Sequence, residues 1–312
     1  MLQILVLTHA LGTASIVAEA TIPSTPQARS PSLPWVYDWN KFPCAWFGGN
    51  GTDFESAAQI AEIGRYSLAI FGWQHLVLAA NWTAVVYTQL TQAAILKSAH
   101  PSMPVFVYTG FANADAYNWA TRPLMLLAKD PAYSQMFLQA ADGPLYSYSG
   151  CQQMGLGHHV TLPCTAYFWN FANASARAFF IDHIVTPLTK APMIDGIFFD
   201  DFSTSYNIIA GPPWGRNVVN IPNCSRSGGE GCEALIEGTL TLARETAKLL
   251  NAHGKVPIFG DVDMFSNWNS VPIFAAEQRF VDALDGLKYV RYYEGAQADA
   301  NAMKPGGLFD TS

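Results

Sequence analysis

Two adjacent carboxylates end the apolar run Asp195-Gly-Ile-Phe-Phe-Asp-Asp-Phe202. The run suits a buried strand, and a buried strand has no structural need for two acids at its tip. Charge there costs desolvation energy unless it is paired or used. Side chains alternate along a strand, so Phe198 and Asp200 share one face, and Phe199 and Asp201 the other. Asp200 is expected to face inward as a candidate catalytic acid. Asp201 is expected to support it, by capping the next loop or touching substrate. Acids at the C-terminal tip of a parallel strand are where a (β/α)8 barrel carries its chemistry.

Further acids end later apolar runs. Asp261 and Asp263 close the run over residues 256–262, where they could react, bind substrate hydroxyls or cap a turn. Glu294 follows Tyr292 and Tyr293 at the end of residues 287–294. Apolar surroundings would raise its pKa toward the range of a general acid, whereas pairing with Arg291 would make it a surface residue. Trp73 ends the second apolar run, His75 follows it and Trp46 ends the first, so all three are candidate substrate contacts, with core packing the alternative for the tryptophans and packing or hydrogen bonding for His75. Tyr292 joins this set. Carboxylates on neighbouring strands suit hydrolysis of O-glycosidic bonds: one attacks or activates water, and the other protonates the leaving oxygen.

The elements that must position these groups alternate between strand and helix, which argues for a parallel sheet. Strands are expected over 45–49, 66–73, 104–111, 195–202, 256–262 and 287–294. Helices are expected over 53–65, 83–99, 175–188, 232–253 and 272–284, with a further helix around 131–140 and a short strand or extended lead-in over 166–171. Segments leaving the third and fourth strands are long, while those entering strands are short, which marks one working face. The expected fold is an α/β TIM-type barrel with about six βα units. Residues 295–312 are too few for two more units of about thirty residues each. The expectation is therefore a barrel domain over 35–312 that is incomplete or cut short at its C-terminus. An open doubly wound sheet is the competing architecture, but no Gly-x-Gly-x-x-Gly follows the first strand.

Composition bounds the partners. Half of the 312 residues are hydrophobic, 13% are charged and the formal charge is −7. A large core is expected, and nucleic-acid binding is not, because there is no basic cluster. Residues 1–20 are apolar and end in Ala18-Glu19-Ala20, the pattern of a cleaved signal peptide; residues 21–34 are a Pro/Ser-rich linker. No later run is long enough to span a bilayer. Sequons at Asn50, Asn81, Asn173 and Asn223 add to the case for a secreted glycoprotein. So do two local cysteine pairs, Cys151 with Cys164 and Cys224 with Cys232, which leave Cys44 over. His158-His159 in the long segment after the third strand leaves a metal reading open, but no zinc spacing is present. A monomer without cofactor is expected.

Phe168-Trp-Asn-Phe-Ala-Asn-Ala-Ser-Ala-Arg177, then a helix, then Asp195-Gly-Ile-Phe-Phe-Asp-Asp201, resembles a pattern of TIM-barrel glycoside hydrolases that includes poorly characterised hydrolase-like families. The pattern is Asp-x-Thr-Asn-Pro-x-x-Arg followed by Asp-Gly-x-x-x-Asp. Asn170 stands where it has its first Asp, and Ala174 where it has Pro. The resemblance implies a barrel that acts on carbohydrate, with Asp200 as the fourth-strand nucleophile or base and the acid on a later strand, here Glu294. Two rival readings are a carbohydrate-binding relative without activity, and a metal-dependent hydrolase using Asp200, Asp201, Asp261 and Asp263.

Overall fold

Six short apolar runs form one parallel sheet. They are β1 (Phe42–Gly48), β2 (Tyr66–Phe71), β3 (Val105–Gly110), β9 (Gly196–Asp200), β10 (Val256–Gly260) and β11 (Val290–Tyr292). A computed structural model describes residues 42–50, 53–72, 85–114, 130–144, 146–148, 166–202, 218–221, 233–260 and 273–292. The two candidate cysteine pairs, the candidate signal peptide and the linker lie outside them.

Strand order in the sheet is β1-β2-β3-β9-β10-β11, which is also chain order. A doubly wound sheet reverses direction at a switch point, and this one does not. The chain winds one way, as in a barrel, and the six strands form a curled half-barrel.

The curl follows from ring contacts on one face. Phe47 on β1 meets Phe198 on β9 with ring centroids 5.5 Å apart, although β2 and β3 lie between these strands. Three strand spacings in a flat sheet would be about 14 Å. The face carrying Phe47, Tyr108 and Phe198 is therefore concave. Leu68, Ile70, Phe106, Val256 and Ile258 are buried on the same side by alternation.

The convex face carries the larger core. Ala69, Phe71, Val105, Val107, Ile197, Phe199 and Phe259 pack there against the helices. These helices are α1 (Ala57–Ile63), α2 (Val85–Ala99), α3 (Ala174–Phe180), α4 (Thr186–Thr189), α5 (Glu233–Ala252) and α6 (Ile273–Ala283). Helix α5 shows why: Leu235, Thr239, Leu242, Thr246 and Leu250 repeat every three or four residues and are all buried. At the centre of this layer Phe111 contacts Phe171, Phe180, Phe199, Phe202 and Phe259.

Two local expectations change. The helix expected over 175–188 contains a π-helical turn, Ile181–Val185, between α3 and α4. Pro187 explains it, since proline supplies no N–H and its ring clashes with the carbonyl four residues back. The helix expected around 131–140 is only a 3-10 turn, Ser134–Met136, followed by a hairpin of β5 (Gln139–Ala140) and β6 (Gly143–Pro144). Gly143, at φ 132, takes a backbone conformation that a side chain would resist, and Pro144 follows at once.

The two strand ends differ in chemistry. At the N-terminal end, Asp195 accepts the Val105 N–H at 2.8 Å and pairs with Lys97 at 2.7 Å. Buried Lys255 donates to the carbonyls of Ala191 and Ile194, and burial pulls its pKa down. This end is closed by structural bonds. The C-terminal end carries the long segments and the paired acids.

Candidate functional site

Asp200 is the last residue of β9 and shares the concave face with Phe198. Its carboxylate accepts a hydrogen bond from the Tyr108 hydroxyl on β3 at 3.0 Å, and another from the backbone N–H of Asp201. Burial pushes its pKa above the ordinary aspartate value, and those two hydrogen bonds oppose the shift without cancelling it. A carboxyl so placed can hold a proton at a higher pH than a surface aspartate, and when ionised it is poorly solvated and reactive. Tyr108 supplies a polar handle inside an aromatic wall: its ring lies 6.0 Å from Phe198 and 6.3 Å from Phe47. Phe47 is 47% exposed, so this wall is open to solvent at its edge.

On the other side of Asp200 the wall is bare. Gly260 ends β10, and a Cβ built there would lie 3.2 Å from Asp200 Oδ1 and 3.1 Å from the Phe198 ring. Glycine is what lets the carboxylate lie against the neighbouring strand. Tyr292 takes the register position beyond, paired with Gly260.

Asp201 turns away. It has φ 55, the only positive φ at a non-glycine among the described residues. Its Oδ2 accepts a hydrogen bond from Asn113 Nδ2 at 2.9 Å. Phe202 then plunges into the convex-side core between Phe111, Phe259 and Phe280. The paired acids thus have separate environments, as alternation requires.

The long segments after β3 and β9 meet above this end. The first carries a small antiparallel sheet, β4 (Asn113–Ala114), β8 (Ala166–Phe168) and β7 (Tyr146–Tyr148), in that order. The second returns at residues 218–221, where the Asn220 side chain bonds the Gln139 N–H and the Phe137 carbonyl. The conspicuous residues of 168–177 build a turn. Arg177 donates to the carbonyls of Phe171 and Ala172, and Asn173 caps α3 by accepting the Ser175 N–H at 2.9 Å. Asn173 also donates to the Gln135 carbonyl, so this sequon residue already uses both side-chain atoms.

Other expected site residues are placed differently. Trp46 falls on the convex side of β1, its ring 5.4 Å from buried Phe71, while its neighbour Phe47 takes the concave face. Strand β1 runs from Phe42 to Gly48, and this register turns Trp46 toward the helices. Trp73, His75, Asp261, Asp263 and Glu294 lie outside the described residues. Tyr108, Gly260, Asn113 and Phe47 were not singled out from sequence. The alternation Phe106, Tyr108, Gly110 would have found Tyr108, since it puts a hydroxyl on the inner face two residues before a strand end. Among the described residues no three His, Cys, Asp or Glu side chains are grouped to hold a metal, and no helix is long and apolar enough to cross a membrane.

No family model and no curated protein matches the chain. Solved structures similar in shape include the glycoside hydrolase domain of PelA from Pseudomonas aeruginosa, at TM-score 0.39 and 12% identity over 77% of this chain and 78% of that one. A family GH13_31 enzyme gives TM-score 0.41 and 10% identity over 80% of this chain and 51% of that one. The β-galactosidase from the psychrophilic Marinomonas ef1 gives TM-score 0.41 and 10% identity, over 80% and 40%. The chain thus spans about half or less of the last two proteins. TM-scores of this size do not establish a common fold, so the chemistry of the site rests on its own residues.

Proposed function

We propose that the chain hydrolyses O-glycosidic bonds of an oligo- or polysaccharide at the C-terminal end of its half-barrel. Asp200 is the nucleophile or general base, and Glu294 is the acid. The observation that carries this reading is the placement of Asp200. It is a half-buried carboxylate on the concave face, proton-loving through burial, oriented by a phenol and set beside an aromatic wall. Hydrolysis of an acetal needs no redox group, only one carboxylate to attack or activate water and another to protonate the leaving oxygen. Aromatic faces such as Phe47 suit the apolar faces of sugar rings, and long loops supply the walls of a cleft. The sequons at Asn50, Asn81 and Asn223 and the N-terminal apolar run support secretion, where a polysaccharide substrate would be met.

The test is release of reducing ends from a panel of plant, fungal and bacterial polysaccharides. Wild-type protein should release them from at least one glycan, and Asp200→Asn should lower that rate by about 10²–10⁴-fold, the usual worth of an acid–base group. Equal rates in the two proteins would remove Asp200 from the mechanism.

A further inference from the structure

Asp201 adopts a conformation that costs most residues about 1–2 kcal/mol and that aspartate tolerates better than most. Strain of this kind persists where surrounding structure enforces it. The enforcing group is visible: Asn113 is 95% buried, at 5% exposure, and its Nδ2 donates to Asp201 Oδ2 at 2.9 Å. Asn113 Oδ1 is buried with no partner among the described residues, so the amide is fixed for what its nitrogen does. The consequence falls on the neighbouring acid. The Asp201 N–H donates to the Asp200 carboxylate, and Asp201 has φ 55. The 200–201 peptide plane aims that N–H; with Gly196–Asp200 held in the sheet and Phe202 in the core, moving φ at 201 to the extended region would rotate this plane and carry the N–H away.

We infer that Asn113 is a positioning residue: by clamping Asp201 in the left-handed turn, it holds the Asp201 N–H on Asp200 and so sets the proton affinity and aim of that carboxylate. Asp201 then serves through its backbone, and its side chain is the handle by which the turn is held. The inference deepens the glycosidase reading and rests on it for its purpose, but its test does not need turnover.

Carbon-13 NMR of the aspartate carboxyl carbons in the full chain reads the titration midpoint of Asp200, assigned by the signal lost in Asp200→Asn. Asn113→Ala should raise that midpoint, because a hydrogen bond to the ionised form is lost. Asp201→Ala and Asp201→Gly remove the same charge but differ in tolerance of positive φ. The midpoint should therefore be higher with Ala than with Gly. With Gly at 201, adding Asn113→Ala should move nothing, since the turn no longer needs its clamp. An unmoved midpoint in Asn113→Ala, or the same shift with Asp or Gly at 201, overturns the inference. If Asn113→Ala does not fold, the Ala and Gly variants of the partly buried Asp201 decide alone: equal midpoints overturn it. Absence of turnover on every glycan would sink the proposed function and leave this titration result standing.

Discussion

Replacing Gly260 by alanine puts one methyl group into the wall beside Asp200. The added carbon would lie 3.1 Å from the Phe198 ring, 3.2 Å from Asp200 Oδ1 and 3.4 Å from the Phe199 carbonyl. The first two contacts are tighter than ordinary and involve side-chain ends, so relief takes a shift of a few tenths of an ångström in Phe198 and Asp200. Crowding of this kind costs about 1 kcal/mol at the low end of overpacking. Gly→Ala at an unstrained position returns about 0.4–1 kcal/mol by restricting the unfolded chain. Net stability should change by less than about 1 kcal/mol in urea melts. Activity should change more. A 1 Å misplacement can cost about 10²-fold, so a few tenths should cost roughly tenfold in kcat/KM. The methyl also strips water from Asp200, so the acid limb of the pH profile should move up. Gly254→Ala is the control: its φ of 70 strains alanine by about 1–2 kcal/mol, and no atom lies within 4 Å of the new methyl. It should lose stability and keep kcat/KM. A Gly260→Ala enzyme with wild-type kcat/KM and an unmoved pH profile would refute the placement of the reacting carboxylate.

Asp200→Asn should gain about 0.5–2 kcal/mol of stability at neutral pH while losing activity, because it removes a buried charge. Asp200 has its folded pKa raised. Its stabilising contribution is therefore full below the unfolded aspartate value and lost as pH rises through the folded one. The advantage of Asn should accordingly grow across that window in thermal melts; a destabilised variant would mean that Asp200 is structural. Tyr108→Phe removes the phenol that donates to Asp200 at 3.0 Å. It should cost about 1 kcal/mol and move the acid limb of kcat/KM to higher pH; an unmoved limb would count against the bond. Lys255→Met should cost about 2–4 kcal/mol by leaving the Ala191 and Ile194 carbonyls without their buried donor, with kcat unchanged in the folded fraction; a small loss would show that water replaces the ammonium.

Much of the sheet could be read from composition alone, because its strands are short apolar runs buried on both faces. Phe106, Phe198 and Phe199 are nearly inaccessible whichever way they point. Alternation from that run also placed Asp200 and Asp201 on opposite faces. It left Trp46 open between a substrate contact and core packing, because its face depends on register against β2, and β1 has one neighbour among the described strands. The region around 131–140 misled because its alanines and glutamines suit a helix locally, while buried Phe137 and the Gly143-Pro144 corner demand a hairpin. The fit of Asp200 against Gly260 was invisible for another reason. It is a contact between residues 60 positions apart in the chain, and a glycine at a strand end looks like a turn residue until its neighbour is known. Buried Glu55 was hidden in the same way: it lies in the segment before α1, where its N–H meets Gln92 of α2 at 2.7 Å.

Azide rescue tests directly whether Asp200 is the reacting carboxylate. Asp200→Ala should hydrolyse an activated glycoside about 10²–10⁴-fold more slowly than wild type. Azide, a small anion that fits the space of the lost carboxylate, should restore part of the rate and yield a glycosyl azide. The azide should be inverted relative to the substrate; wild-type hydrolysis with retention then marks Asp200 as nucleophile, and wild-type hydrolysis with inversion marks it as base. Hydrolysis by Asp200→Ala at the wild-type rate, with no azide adduct, would contradict the account.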